Sequence, residues 1–532
     1  MPKSPRARFI AKHQEVLQFG TAVLFLLLVG GCAWLSGTLS SVVLPTAAMW
    51  MLVVAAVMAG YMAMNIGAND VANNMGPVVG SGAMSLGWAL AVAAVFEALG
   101  AVVAGGDVIG TVKGGIIDAR QITDASAFVW VMFAALIAAA LWINLATALD
   151  APVSTTHSII GAITGAGVAA GGWGLINWST LGDIALGWLV SPLAGGALAA
   201  AFLYLIKRCV TYRSNGAEAA RRVVPVLIAL MVWAYTTYLL IKGLGQVWRV
   251  ELAEALVAGA AVALVTWWLI RLPIRRMAVR HESSKKAVNH LFTWPLIGSA
   301  ALLSFAHGAN DVANAIGPLA AIHEAIQAGA IATRAQAPLW ILVVGALGLS
   351  VGLVLYGARL IRIVGREITE LDNMRAYAIA MAVSLTVIVA SQFGMPVSTT
   401  QISIGAVFGV GFLRQWLKVN YARMEAQVLA GHQGQDRAEV EAYLLRFSGA
   451  EVHEKKRMLA DMKLRKRQHE ATQTAEGALL AKKERKLLKK AVDKAIVKRS
   501  LALRIVAAWI VTLPATAALA AVLFHVVRAV LR

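Results

Sequence analysis

Two stretches of this chain read almost alike. Residues 67–77 are GANDVANNMGP and residues 308–318 are GANDVANAIGP, each set inside a long apolar run. A carboxylate in such a run is expensive to hold in lipid and by default marks an ion or substrate path. Asp70 and Asp311 stand in nearly the same setting, so the repeat predicts two related halves built around a duplicated polar site.

The surrounding composition is that of a membrane protein. The 532 residues are 59% hydrophobic and 14% charged, against about 25% charged in an average soluble domain. Twelve or thirteen apolar runs are present, most of them long enough to cross a hydrocarbon layer of ~30 Å as helices. The expected fold class is therefore an all-α polytopic membrane protein. Spans are predicted at 17–39, 46–80, 86–106, 126–149, 154–171, 183–206, 223–243, 251–272, 291–322, 337–357, 376–393, 398–414 and 504–527. The second and ninth are expected to break at their GAND motifs.

Charge orients the chain. The net charge of +20 sits in loops and tails between spans, which fits cytoplasmic retention of basic loops better than nucleic-acid binding. The clusters at Lys207–Arg222, Arg271–Lys286, Arg359–Arg366 and the segment after 415 all fall on one side of the span count. That side also holds the basic start of the chain (Lys3, Arg6, Arg8, Lys12), so the expectation is a multi-pass protein of the inner (plasma) membrane with a cytoplasmic N-terminus. The first apolar run exceeds a signal-peptide core and reads as an uncleaved span. Cys32 and Cys209 are far apart and imply no disulfide framework.

A second phrase repeats as well. PVSTT occurs at 152–156 and again at 396–400, 85 and 88 residues after the start of the respective GAND motifs. Seven crossings separate the two GAND copies, so the halves run through the membrane in opposite directions. Inverted-topology repeats with broken helices meeting near the midplane are an architecture of secondary transporters. The predicted organisation is a basic tail (1–16), a first half (17–206), basic loops with two scaffold spans (207–290), the second repeat (291–414), a basic helical cytoplasmic segment (415–503) and a final span (504–532).

Paired GANDVAN motifs, each followed by PVSTT, make the chain resemble the inorganic phosphate transporter (PiT) family over about 46–206 and 291–414, with Trp509, Thr512 and Pro514 of the last span also similar. The resemblance implies uptake of inorganic phosphate coupled to sodium in many members and to protons in others, with sulfate carried by some relatives. The VAN that follows both GAND motifs is more similar to the sodium-coupled branch. No resident cofactor is implied; the partners are inorganic phosphate, the co-transported cation and membrane lipid, and a homodimer is compatible with the two scaffold spans.

The chemistry of the motifs points the same way. The motif-bearing spans carry no convincing Lys or Arg, so Asp70 and Asp311 are expected to be protonated or to hold a cation. Hard cations prefer oxygen ligands, and the expected cation set is Asn69, Asp70, Asn73 and Asn310, Asp311, Asn314, helped by unwound backbone at the breaks. The PVSTT phrases suit an anion, because a proline-started, hydroxyl-capped helix N-terminus presents free N–H donors. The expected phosphate set is Ser154, Thr155, Thr156 and Ser398, Thr399, Thr400. Glu97, His157 and His307 are candidate coupling groups, weighed against ordinary polar packing; Glu97 has no evident partner in the second half, and Gln401 and Ile66 stand where the two histidines would repeat.

Enzyme readings fit poorly. An intramembrane aspartyl protease needs a YD and GxGD pairing, and a membrane serine protease needs a GxSG context; neither is present. A cation channel or an anion receptor without transport remains as the rival class, since acidic and carbonyl groups also line pores.

Overall fold

The computed structural model describes residues 5–40, 42–118, 125–149, 151, 153–211, 216–243, 250–279, 285–328, 337–367, 371–417, 440–446, 458 and 499–531. Pro152, Arg213, Arg280 and most of the expected cytoplasmic segment 415–503 lie outside them. The chain divides into two compact units, Met1–Val410 with Leu503–Arg532, and Gly411–Ala502. In the second unit the described residues are the end of one long helix, a helical stretch at 440–446, residue 458 and the first helical residues from 499.

The helices are α1 (Pro5–Thr38), α2 (Thr46–Gly80), α3 (Leu86–Ala104), α4 (Gly106–Gly114), α5 (Ala125–Ala148), α6 (Thr155–Gly171), α7 (Trp178–Ile206), α8 (Gly216–Lys242), α9 (Leu252–Val279), α10 (Lys285–Leu291), α11 (Thr293–Ala328), α12 (Leu339–Glu367), α13 (Asn373–Gln392), α14 (Thr399–Leu417) and α15 (Arg499–Leu531). Among the described residues eleven helices are long and apolar enough to cross a membrane. The other two expected spans are the short α6 and α14. The expected tail 1–16 instead joins the first helix from Pro5, and α4 and α10 were not expected as separate elements.

Two locations differ from expectation. α2 and α11 run unbroken through their GAND motifs. Both are buried on all sides there, and a backbone with no water around it keeps its hydrogen bonds within the helix. The breaks fall at the PVSTT phrases instead. α5 ends at Ala148 and α6 starts at Thr155; α13 ends at Gln392 and α14 starts at Thr399. Each first helix closes with a six-residue turn, the Ala151 N–H donating to the Ala146 carbonyl and the Met395 N–H to that of Ala390.

The halves interlock. Gly100 of α3 and Gly105 just past its end meet Phe305 and Val312 of α11, while Gly348 and Gly357 of α12 meet Ala63 and Val71 of α2. Contacts that advance together along both helices mean parallel pairs, so α3 follows α11 and α12 follows α2. The short connection 81–85 turns the chain back between α2 and α3, which leaves α2 and α11 running in opposite directions as inverted repeats require. Glycine is needed at these crossings: a methyl on Gly67 would fall onto the Leu349 carbonyl, and one on Gly308 onto that of Glu97. The last span completes the symmetry. α15 packs on α6 at Gly161 and Gly165 as α7 packs on α14 at Gly405 and Gly409.

Candidate functional site

The site lies where the middles of α2 and α11 meet the starts of α6 and α14. Asp70 and Asp311 are fully buried. Each accepts a hydrogen bond from the threonine of its own half, Thr155 Oγ1 to Asp70 Oδ2 at 3.0 Å and Thr399 Oγ1 to Asp311 Oδ2 at 2.9 Å. The asparagines one turn on reach across the repeat: Asn73 Nδ2 donates to Thr400 Oγ1 at 2.8 Å and Asn314 Nδ2 to Thr156 Oγ1 at 3.2 Å. Those threonines donate in turn to the backbone of the opposite break, Thr156 to the Val397 carbonyl at 3.0 Å and Thr400 to that of Val153 at 3.5 Å.

Asn69 and Asn310 serve the breaks. Asn69 Nδ2 donates to Thr147 Oγ1 and the Ala151 carbonyl, and its Oδ1 accepts from the Val153 N–H. Asn310 repeats the pattern with Ser391, Met395 and Val397. Both side chains brace the turn that leads into the next helix. Ser154 and Ser398 act as caps, each Oγ accepting the N–H three residues on, from His157 at 3.1 Å and Gln401 at 3.3 Å. Each cap takes one first-turn N–H; the others at the starts of α6 and α14 have no acceptor inside their own helices.

Helical continuity at GAND changes where backbone oxygen is available. Proline has no N–H, so Pro77 and Pro318 leave the carbonyls of Asn73 and Asn314 without their usual donor four residues on. Asp311 Oδ1 and Asn314 Oδ1 are likewise buried acceptors with no donor among the described residues.

Symmetry fails chiefly at His307; a smaller departure is Thr400 Oγ1, which also donates to Asp70 Oδ1 at 3.4 Å while Asp311 Oδ1 has no donor among the described residues. His307 places Nε2 3.0 Å from Asp311 Oδ2 and 3.7 Å from Asp70 Oδ2, and Nδ1 3.3 Å from Glu97 Oε1. Glu97 also accepts from Asn74 Nδ2 at 2.8 Å. The equivalent positions are Ile66 for His307 and Ala315 for Asn74 along the repeat, and Leu349 for Glu97 because each packs its carbonyl against the GAND glycine of the other half. Glu97 therefore does have a partner in the second half, His307, which when protonated is also a potential countercharge for the carboxylates. Asn74 is the residue that motif reading passed over; its signal was the single change from NN to NA just after the repeated GANDVA.

His157 is placed otherwise. Its ring stands edge-on to Trp188 with centroids 4.0 Å apart, and neither nitrogen has a hydrogen-bond partner among the described residues. Trp188 Nε1 donates to the Pro396 carbonyl at 3.1 Å, so the histidine packs the break of the other half.

Ligand atoms of Asp70, His307 and Asp311 lie within 4.8 Å of one another, close enough to share one cation. The arrangement combines a cation-sized cluster of buried oxygens with two opposed helix N-termini. It is suited to holding an anion and one or more cations together, out of water.

Comparison with known proteins agrees. A model of the "Phosphate transporter family" matches residues 66–520. A Helicobacter pylori protein named "Putative phosphate permease" is 47% identical over 519 residues, covering 96% of this chain and 95% of its own. One of the same name from Chlamydia trachomatis is 35% identical over 404 residues, covering 72% of this chain and 94% of its own. A solved structure, "The sodium-dependent phosphate transporter", superposes with a TM-score of 0.72 at 29% identity over 90% of this chain and all of that one.

Proposed function

The chain belongs to the phosphate transporter family, and from that membership we propose that it imports inorganic phosphate across a cell membrane by symport with a cation, sodium in the favoured reading. The observation that carries the coupling is the pair of buried carboxylates that, among the described residues, have no lysine or arginine in contact, set between two helix N-termini. An oxyanion there gains only partial positive charge from the helix ends. A cation there leaves carboxylate charge to be offset. Each ion lowers the cost of holding the other.

The cation set comprises Asp70 and Asp311 with the side-chain and backbone oxygens of Asn73 and Asn314. Asn69 and Asn310 act through the breaks they brace. The phosphate set comprises Thr155, Thr156, Thr399 and Thr400 with the N–H groups beside them, held in place by the Ser154 and Ser398 caps. Thr155 and Thr399 donate to the carboxylates; a cation at those oxygens competes with that donation and turns the hydroxyls toward a phosphate oxygen. Cation loading thus prepares the anion site. Movement of the two inverted repeats past each other then exposes the pair to the opposite side.

The named activity of the structural relative supports sodium. A proton-coupled reading is carried by one specific observation, the contact of His307 with Glu97, Asp70 and Asp311. Sulfate is the rival anion, and a homodimer in the membrane remains part of the proposal. Titration calorimetry of the purified chain tests the coupling: phosphate affinity should rise as sodium is added, and sodium affinity should rise equally with phosphate. Independent binding of the two would overturn it.

A further inference from the structure

α4 takes no part in the proposed binding sites. This nine-residue helix is set off from α3 at Gly105 and makes three contacts that converge on the second half. Thr111 Oγ1 donates to the Gly394 carbonyl at 2.7 Å, and Gly394 is the left-handed residue (φ 63°) in the break before α14. Val112 lies against Gly317, where an added Cβ would come within 2.8 Å of its Cγ1. Lys113 forms an ion pair with Glu324 near the end of α11, with side chains only 5% and 13% exposed.

That pair borders a cavity of about 360 Å³ lined also by Val42, His323, Gln327 and Pro338. A buried ion pair is a poor source of net stability, because desolvation offsets much of the attraction. Apolar side chains would hold two packed helices as firmly. An ion pair beside a cavity has another property: water and ions that enter the cavity screen it, so it parts readily when the cavity fills. In sequence register the pair has no counterpart at the other end of the inverted repeat, where Gly365 and Ala83 stand in place of Lys113 and Glu324.

We propose that α4 is a gate over the break of the second half and that Lys113–Glu324 is its latch. Closed, α4 ties the turn at Gly394 to the end of α11. Opened, it frees that turn, and with it Thr399 and Thr400, toward the face that carries the α3–α4 and α11–α12 connections. With a cytoplasmic N-terminus this is the outer face. The inference rests on the transport reading above.

Cross-linking tests it. In a Cys32→Ala, Cys209→Ala background, Lys113→Cys with Glu324→Cys is reconstituted and phosphate uptake is measured before and after a short bifunctional thiol reagent. The expected result is uptake before cross-linking, at least a tenfold fall after it, and recovery on reduction. Unchanged uptake by fully cross-linked protein would show that α4 does not move against α11 and would overturn the latch. Should the double-cysteine protein be inactive beforehand, charge reversal decides: Lys113→Glu with Glu324→Lys should restore uptake lost in Lys113→Glu alone, and equal loss in both would overturn it. A background protein that carries no phosphate would overturn the transport reading itself, a result distinct from a transporting protein indifferent to the cross-link.

Discussion

Glu97 Oε1 on α3 lies 3.3 Å from His307 Nδ1 on α11, and the other half fills the matching positions with Leu349 and Ile66. One fold thus holds the same packing twice, once with a buried polar pair and once with an apolar one. The apolar version predicts how the polar one responds to substitution. Glu97→Leu or His307→Ile alone strands a buried polar partner and should destabilise by about 3–5 kcal/mol. Adding Asn74→Ala to the pair copies the other half, where Ala315 stands, and that variant should unfold close to wild type in a detergent melt. Strict additivity of the two losses would show that the pair is not a unit. Its transport should lose the pH dependence of the wild type if His307 and Glu97 carry a proton, and keep it if they only pack.

Asp70→Asn and Asp311→Asn keep shape and remove charge. Each should leave the protein in the membrane and reduce cation-driven uptake by about 100-fold or more, since a contact to a charged group contributes about 1.5–3 kcal/mol and two or more are lost. The measurement is initial uptake rate normalised to protein in the membrane. Near-normal rates in both variants would remove the carboxylates from the cation site.

The threonine hydroxyls separate binding from folding. Thr155→Ala with Thr399→Ala should raise the half-saturation concentration for phosphate by about 100-fold or more, since two hydrogen bonds to a charged group at about 1.5–3 kcal/mol each are lost. Thr→Ser at both positions keeps the hydroxyl and should restore it. An unchanged half-saturation in the alanine pair would place the anion elsewhere.

Helix crossing gives a stability test away from the chemistry. Gly308→Ala puts a methyl onto the Glu97 carbonyl and Gly67→Ala onto that of Leu349, so each should lose about 1–3 kcal/mol through overpacking. Gly20→Ala meets nothing within 4 Å and should be neutral or slightly stabilising in the same thermal melt.

Much of this was readable in the chain because the chain repeats itself. Repeated GAND and PVSTT phrases picked out residues that the fold brings together, and the basic loops set the parity that made the repeats inverted. Their apolar settings located the spans, α2 at its very ends. What the residues did not reveal were the partners of each group. Asparagine, glycine and proline in an apolar run read equally well as a break or as close packing, and tertiary burial decided for packing at GAND. Asn69 and Asn310 looked like ligands because their type suits a cation, yet only the fold brings Val153 and Val397 to them. The Glu97–His307 contact joins residues more than two hundred positions apart, with no local pattern to announce it. α4 was missed for another reason: nine residues are too few for hydrophobic periodicity to register.

The most direct test of the central claim is labelled phosphate uptake into proteoliposomes holding the purified chain, driven in turn by an inward sodium gradient and by a proton gradient, with sulfate as competitor. The account predicts accumulation above equilibrium under the sodium gradient, lost in Asp70→Asn and indifferent to sulfate; accumulation under protons alone would keep the symport and reassign the carboxylates with His307 to proton transfer. Phosphate that only equilibrates under either gradient, or labelled sulfate moving in its place, would contradict it.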